Sequence, residues 1–295
     1  NADKLVQVSG TIGPLGPESA VHIEVRGKNI VNEPALLAAL PSQARAAIAT
    51  LDAEGEGRWP TFRLDFLCDV KRPLGRNTRW SVATDLFILE AAGRLKHFPY
   101  PLEKLTGVIR VRDGRLEIVD GAMRRGDAEL SFAGDFTWDT PDERGSADSQ
   151  SAPVRPNLRL SARNVPVDDD LLAALPPDQR QWLQRLGPTG RIDLEGAVLP
   201  PQAGDAEAAA AGDFHFEFNL DLRNATFLPI DDQPLVTDAT ARLRVTPQRV
   251  VVSDLVGKIV DARLTADGVA TWADATPLLN FRADAQELQL NDRLY

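Results

Sequence analysis

The sequence is poor in the residues on which cross-linking and catalysis depend. It holds one cysteine, Cys68, so no internal disulfide can form and no thiolate metal cluster can be built. That leaves the compartment open, since cytosol fits and so does an envelope protein that uses no disulfides. It holds three histidines, His22, His97 and His215, far apart and without a partner at metal-ligand spacing. No run of about 18 apolar residues occurs, so nothing reads as a membrane-spanning helix. Positive charge is in deficit. The 33 Lys and Arg against 43 Asp and Glu leave a net charge of −10, which argues against nucleic acid and against simple adsorption to an anionic membrane.

Familiar catalytic motifs are also missing. "TIGPLGPESA" (11–20) lacks the Gly-Lys-Ser/Thr ending of a phosphate loop, and no Gly-x-Ser-x-Gly elbow occurs. Asp168, Asp169 and Asp170 stand directly before a leucine run, which reads as a helix start; a calcium loop needs alternating ligands and a glycine turn. Asp113, Glu117 and Asp120 could in principle pair for glycoside hydrolysis. Turn and surface roles explain them better, because a second copy of the segment carries Pro247 and Val251 in place of the first two. No catalytic, metal-binding or cofactor-binding residue is assigned.

What the chain does have is repetition. "HIEVRGKNIVNEPALLAALPSQARAAIATL" lies over "NLRLSARNVPVDDDLLAALPPDQRQWLQRL" without a gap at an offset of 171 − 36 = 135. "RVRDGRLEIVDGAMRRGDAELSFAGDFTW" lies over "RVTPQRVVVSDLVGKIVDARLTADGVATW" at 272 − 138 = 134. The start, "ADKLVQVSG", is similar to "GDAELSFAG" at 126–134, and the end, "FRADAQELQLNDRL", to "LRLSARNVPVDDDL" at 158–171. The division this predicts is the end of one unit (1–21), a full unit (22–156), a second unit (157–279) and the start of another (280–295). The positions shared between copies are apolar, glycine or turn residues. Repetition has therefore kept a shape, as in an array whose units stack. The opening "NADKLVQVSG" is neither a methionine start nor a signal peptide, so the chain reads as a piece of something longer.

Most of each unit alternates apolar and polar residues with period two, as in "FHFEFNLDLRN", "ARLTADGVATW" and "GRIDLEGAV". That period means strands with one apolar and one polar face. Turn signals at Asp113-Gly114, Asp120-Gly121 and Gly126-Asp127 predict a mainly β fold of repeated antiparallel meanders. "VDDDLLAALPPDQRQWLQRLGP" predicts a short helix ended by Pro176-Pro177, then a second with Trp182, Leu183 and Leu186 on its apolar stripe and Gly187-Pro188 at its end. Each unit would carry one such helical hairpin. The segments 139–156 and 200–213, rich in Pro, Gly, Ser and acids, read as surface loops between strands. The apolar rows allow two readings, an ordinary covered core or a face left open as a groove.

The segment "FPYPLEKLTGVIRVRDGRLEIVDGAMRRGDAELSFAGDF" (98–136) resembles the repeating C-terminal region of AsmA-like proteins, with their TamB- and YhdP-type relatives. A Pro-Leu pair is followed by a glycine, a strand, an Asp-Gly turn, a second strand, and a Gly-Asp-small-x-Leu strand ending in glycine. The second copy is similar but loses the Asp-Gly turn. The resemblance implies a periplasmic array anchored in the inner membrane by a segment outside this chain. It implies a curved, groove-like extended sheet that shields acyl chains, serving phospholipid passage or outer-membrane homeostasis without catalysis. The implied partners are phospholipid or another acyl lipid, further repeat units of the same chain, and inner- and outer-membrane proteins. The groove candidates are Leu130, Phe132, Phe136, Leu158, Leu160, Ile192, Leu194, Phe214, Phe216, Phe218, Leu220, Leu264 and Trp272. The rival readings are a structural or adhesive β-repeat rod with a sealed core, and a hydrolase with a dispersed site.

Overall fold

A computed structural model describes residues 4–16, 18–31, 33, 61–75, 78–95, 98–112, 114–137, 155–175, 177–200, 215–228, 235–260, 262–272 and 277–286. Seven strands come first: β1 (Leu5–Gly13), β2 (Ala20–Val31), β3 (Thr61–Arg72), β4 (Ser81–Leu95), β5 (Phe98–Arg112), β6 (Arg115–Arg125) and β7 (Ala128–Thr137). Then come β8 (Arg155–Pro166) and two short helices, α1 (Asp169–Ala174) and α2 (Pro177–Leu186). The chain continues with β9 (Thr189–Leu199), β10 (His215–Phe227), β11 (Val236–Thr246), β12 (Arg249–Ile259), β13 (Ala262–Thr271) and β14 (Leu278–Gln286). All fourteen strands form one open sheet in sequence order, and every neighbouring pair is antiparallel. The period-two alternation therefore becomes a mainly β meander.

The pairing itself repeats. Ile118 pairs with Gly134 and Val252 with Gly268, both 252 − 118 = 134 residues apart, and the β-bulge that follows falls between Ile118 and Gly121 in one copy and between Val252 and Leu255 in the other. Leu5↔Lys28, Glu129↔Arg163 and Arg263↔Gln286 are the same pairing at three places. Left-handed backbone recurs as well: Asn29 with Asn164 (φ 54 and 58), Lys104 with Asp238 (48 and 51), Gly126 with Val260 (56 and 57). At the first of these pairs the backbone is held by a side chain of the next strand. The Asn29 N–H donates to Asp65 Oδ1 at 2.6 Å and the Asn164 N–H to Asp193 Oδ1 at 2.7 Å.

Two sequence expectations are corrected. Asp120-Gly121 is not a turn. It lies inside β6 at the bulge, where Asp120 Oδ1 accepts the Val108 N–H at 3.1 Å; an Asp beside a Gly satisfies a bulge as well as a hairpin. The loop expected over 139–156 gives way to β8 by Arg155, and Pro156 is fully buried opposite Phe136. The rest of that loop, most of 200–213 and the helical segment expected in the first unit lie outside the described residues.

The two helices start and stop where the local chemistry dictates. Asp168 caps α1, its Oδ1 accepting the Leu171 N–H at 3.0 Å, and Gly187 (φ 52) ends α2 by donating its N–H to the Leu183 carbonyl at 3.1 Å.

Val260 and Gly126 occupy the first position of matching two-residue hairpin loops, closed by Ile259↔Ala262 and Arg125↔Ala128. A β-branched residue is strained in that left-handed conformation and glycine is not. Val260→Gly is expected to stabilise the protein by about 1 kcal/mol, and Gly126→Val to destabilise it by about 1–2 kcal/mol. Urea unfolding monitored by circular dichroism measures both.

Candidate functional site

Directly paired residues of neighbouring strands share a face of the sheet. Following the pairing from strand to strand traces two apolar rows. One runs Ile30–Leu64–Ile88–Gly107–Gly121–Phe132–Leu160–Gly196–Phe218–Val245–Val250–Ala270–Leu279, across β2 to β14. The other runs Val6–Gly27–Phe66–Leu86–Ile109–Ile118–Gly134–Leu158–Val198–Phe216, across β1 to β10. Neither row contains a polar residue. The opposite face is laced with cross-strand ion pairs, among them Arg112–Asp85 at 2.6 Å, Arg223–Asp193 at 2.5 Å and Arg244–Glu217 at 2.7 Å.

Glycine faces phenylalanine across four neighbouring strand pairs for a steric reason. A Cβ on Gly27, Gly121, Gly196 or Gly268 would come within 2.5 Å of the ring of its partner Phe66, Phe132, Phe218 or Phe281. Each ring lies over the bare backbone of its partner instead of standing up from the sheet. Gly196 and Gly268 therefore do not leave room, as small inward residues would suggest; they are roofed by aromatic rings. Phe216 and Phe218 also stack, with centroids 5.5 Å apart.

Burial along this face is uneven. One cluster gathers Tyr100, Met123, Ala128, Ala162, Val165, Ile192 and, from α1, Ala174. A second joins Ala225, Val236 and Ala239, with Leu264 against it. Elsewhere the face is mostly half-buried, with Ile30 and Ala270 buried and Val6 and Leu279 exposed, and among the described residues no Phe or Trp is buried. The largest fully buried side chains are Val236 and Pro156.

The candidates from sequence sort accordingly. Ile192 is sealed inside the first cluster, with Leu130, Leu194 and Leu220 packed on its margin. Phe132, Phe136, Leu158, Leu160, Phe216 and Phe218 are half-buried along the rows. Trp272 follows β13 and meets Trp182 of α2 edge-on, centroids 6.1 Å apart, so α2 lies on the apolar side of the sheet. Phe214 lies outside the described residues. Sequence reasoning missed the continuation of the rows through Phe66, Leu86, Ile88 and Ile109; the alternation in "TFRLDFLCDV" carried that signal.

Helix α1 is held on the sheet electrostatically. Arg125, at the end of β6, donates to Asp168 at 3.0 Å, to Asp170, and to the Tyr100 hydroxyl at 3.1 Å, with its guanidinium 5.0 Å from the Tyr100 ring. Burial alone would loosen its proton, but Tyr100 and Asp168 outweigh that and raise its pKa, so it stays charged. Glu33, which aligns with Asp168, is likewise paired, with Lys4. Among the described residues no three or more His, Cys, Asp or Glu come together as a metal site would require. Among the described residues Asp69 is a carboxylate held below its usual range, lowered first by the hydrogen bond from Lys71, against some desolvation, and then by His22.

No protein-family profile, curated protein or solved structure matches this chain.

Arg125→Gln is expected to cost about 1–3 kcal/mol, because a charge-assisted network loses its cation while Asp168 and Asp170 remain. Denaturant unfolding measures the loss. Hydrogen exchange should show α1 losing protection before the strands do.

Proposed function

We propose that this chain is a non-catalytic, lipid-shielding segment of AsmA-like type, whose apolar β-face takes acyl chains of phospholipid. The observation that carries the reading is the pair of unbroken apolar rows, most of whose side chains are half-buried, with no Phe or Trp buried among the described residues. A sheet that buries such a face in its own core would place its aromatics inside. Here the polar face carries ion pairs, and among the described residues no second layer of strands covers the apolar face.

The energetics suit that task. An acyl chain leaving water gains about 0.8 kcal/mol per CH₂, on the order of 12 kcal/mol for 16 carbons. At about 4.8 Å between strands, the longer row extends over roughly 60 Å and the shorter over roughly 45 Å, far beyond one acyl chain. Rings lying flat over glycines give a low floor along which a tail can slide without meeting a polar group. The division into units 1–21, 22–156, 157–279 and 280–295, a helical hairpin in each unit, a groove-like curvature, a periplasmic setting and an anchor outside this chain belong to the same reading.

The sealed-rod alternative has one observation in its favour: the cluster beneath α1 is fully covered. Under the lipid reading, α1 and α2 bridge the face and leave the rows accessible beside them.

The decisive measurement is lipid extraction and mass spectrometry of the purified chain, together with binding of a fluorescent fatty acid. Wild type is expected to carry acyl lipid. The double variant Leu160→Asp/Phe218→Asp is expected to bind the probe at least about tenfold more weakly, since two charges then stand in the lane, while its circular dichroism stays β. A wild-type chain that carries no lipid and ignores the probe would leave the rod.

A further inference from the structure

Two neighbouring hairpin tips break the pattern of an acidic protein. Between Asp69 and Asp85 the sequence has no acid and four cations, Lys71, Arg72, Arg76 and Arg79, in a chain of net charge −10. Arg76 lies outside the described residues. This tip joins β3 to β4 and displays Leu74 at 59% and Trp80 at 53% exposure. The adjacent tip, joining β1 to β2, displays Leu15 at 91%, more than any other large hydrophobic side chain among the described residues.

These are built turns. Ser19, buried at 6% exposure, donates its hydroxyl to the Pro14 and Gly16 carbonyls at 2.5 and 2.6 Å. Thr78 Oγ1 donates to the Pro73 carbonyl at 2.9 Å. The Gly75 N–H donates to the Glu18 carbonyl at 3.1 Å and ties the two tips together. The leucines are therefore held out in water by ordered backbone. Arg72 lies 5.8 Å from the Trp80 ring. The acids nearby are Glu18 and Asp69, and Asp69 is engaged by Lys71 at 2.5 Å and His22 at 2.7 Å.

We propose that these two tips together form a docking surface for an anionic lipid bilayer. Exposed leucines supply the apolar wedge, Trp80 supplies a ring suited to the headgroup level, and Arg72, Arg79 and Lys71 supply attraction to a negative leaflet. The charge is local, which is how a chain repelled as a whole can still be held at one edge. Ile12 pairs with Val21 and Val21 with Arg72, so the tips stand where the apolar face ends. The proposal does not depend on lipid occupying that face.

The test is co-sedimentation of the 295-residue chain with vesicles of phosphatidylcholine alone, or of equal parts phosphatidylcholine and phosphatidylglycerol. Binding is expected to the anionic vesicles only, and to be lost near 1 M salt, where the screening length falls to about 3 Å. Leu15→Ser/Leu74→Ser and Arg72→Glu/Arg79→Glu are each expected to weaken it by about tenfold or more. Leu278→Ser, a substitution of a leucine on the edge strand β14 whose exposure lies between those of Leu15 and Leu74, is expected to leave it unchanged. Equal binding to both vesicles, no binding, or equal loss with Leu278→Ser overturns the proposal. So does self-association of the chain that Leu15→Ser/Leu74→Ser abolishes without vesicles, which would make the surface an interface between copies. Failure here leaves the lipid-extraction result untouched, and the reverse holds.

Discussion

Everything in this molecule depends on strand register. In a meander each inner strand has two hydrogen-bonding neighbours, and a slip of one residue would carry its whole apolar set to the other face. One slip between β2 and β10, where the rows run side by side, would cut both. The chain guards against that with devices spread along its length: bulges at matching positions, left-handed residues at Asn29 and Asn164, and carboxylates of the next strand that hold their N–H groups. The Gly–Phe pairs act in the same direction, because each ring fits only opposite a residue without a side chain. Shifted by one place, Phe218 would meet a Cβ.

Much of this was readable in the amino-acid order. Period-two alternation announced the strands, Asp168 announced where the first short helix begins, and Gly187 where the second ends. The offsets of the copies also carried over into the pairing, to the residue. What could not be read were the features that depend on partners. Asp120-Gly121 has the chemistry of a hairpin and was placed in a bulge, because the N–H that Asp120 accepts comes from a different strand. Gly196 and Gly268 look like vacancies until the facing strand is known. Ile192 has the same alternation as Leu160, yet only a helix joined to the sheet through Arg125 decides that Ile192 is sealed.

The two faces obey different physics. On the polar side, ion pairs such as Arg112–Asp85 and Arg223–Asp193 are exposed, so each contributes little to stability; they keep the strand edges soluble and in line. On the apolar side, Arg125 is shielded enough that its contacts with Asp168, Asp170 and Tyr100 count for more. Tight packing is thus gathered beneath α1 and around Val236, where Ala225 and Ala239 are also fully buried.

The copies also agree in strand number. From β2 to β7 and from β8 to β13 the chain passes across six times before the pattern starts again. Six is even, so the backbone enters each successive copy heading the same way and at the same border. Five or seven crossings would invert every second copy and send its connecting helices to the far border. With an even tally, duplication can lengthen such a ribbon without limit while keeping its upper and lower borders chemically distinct.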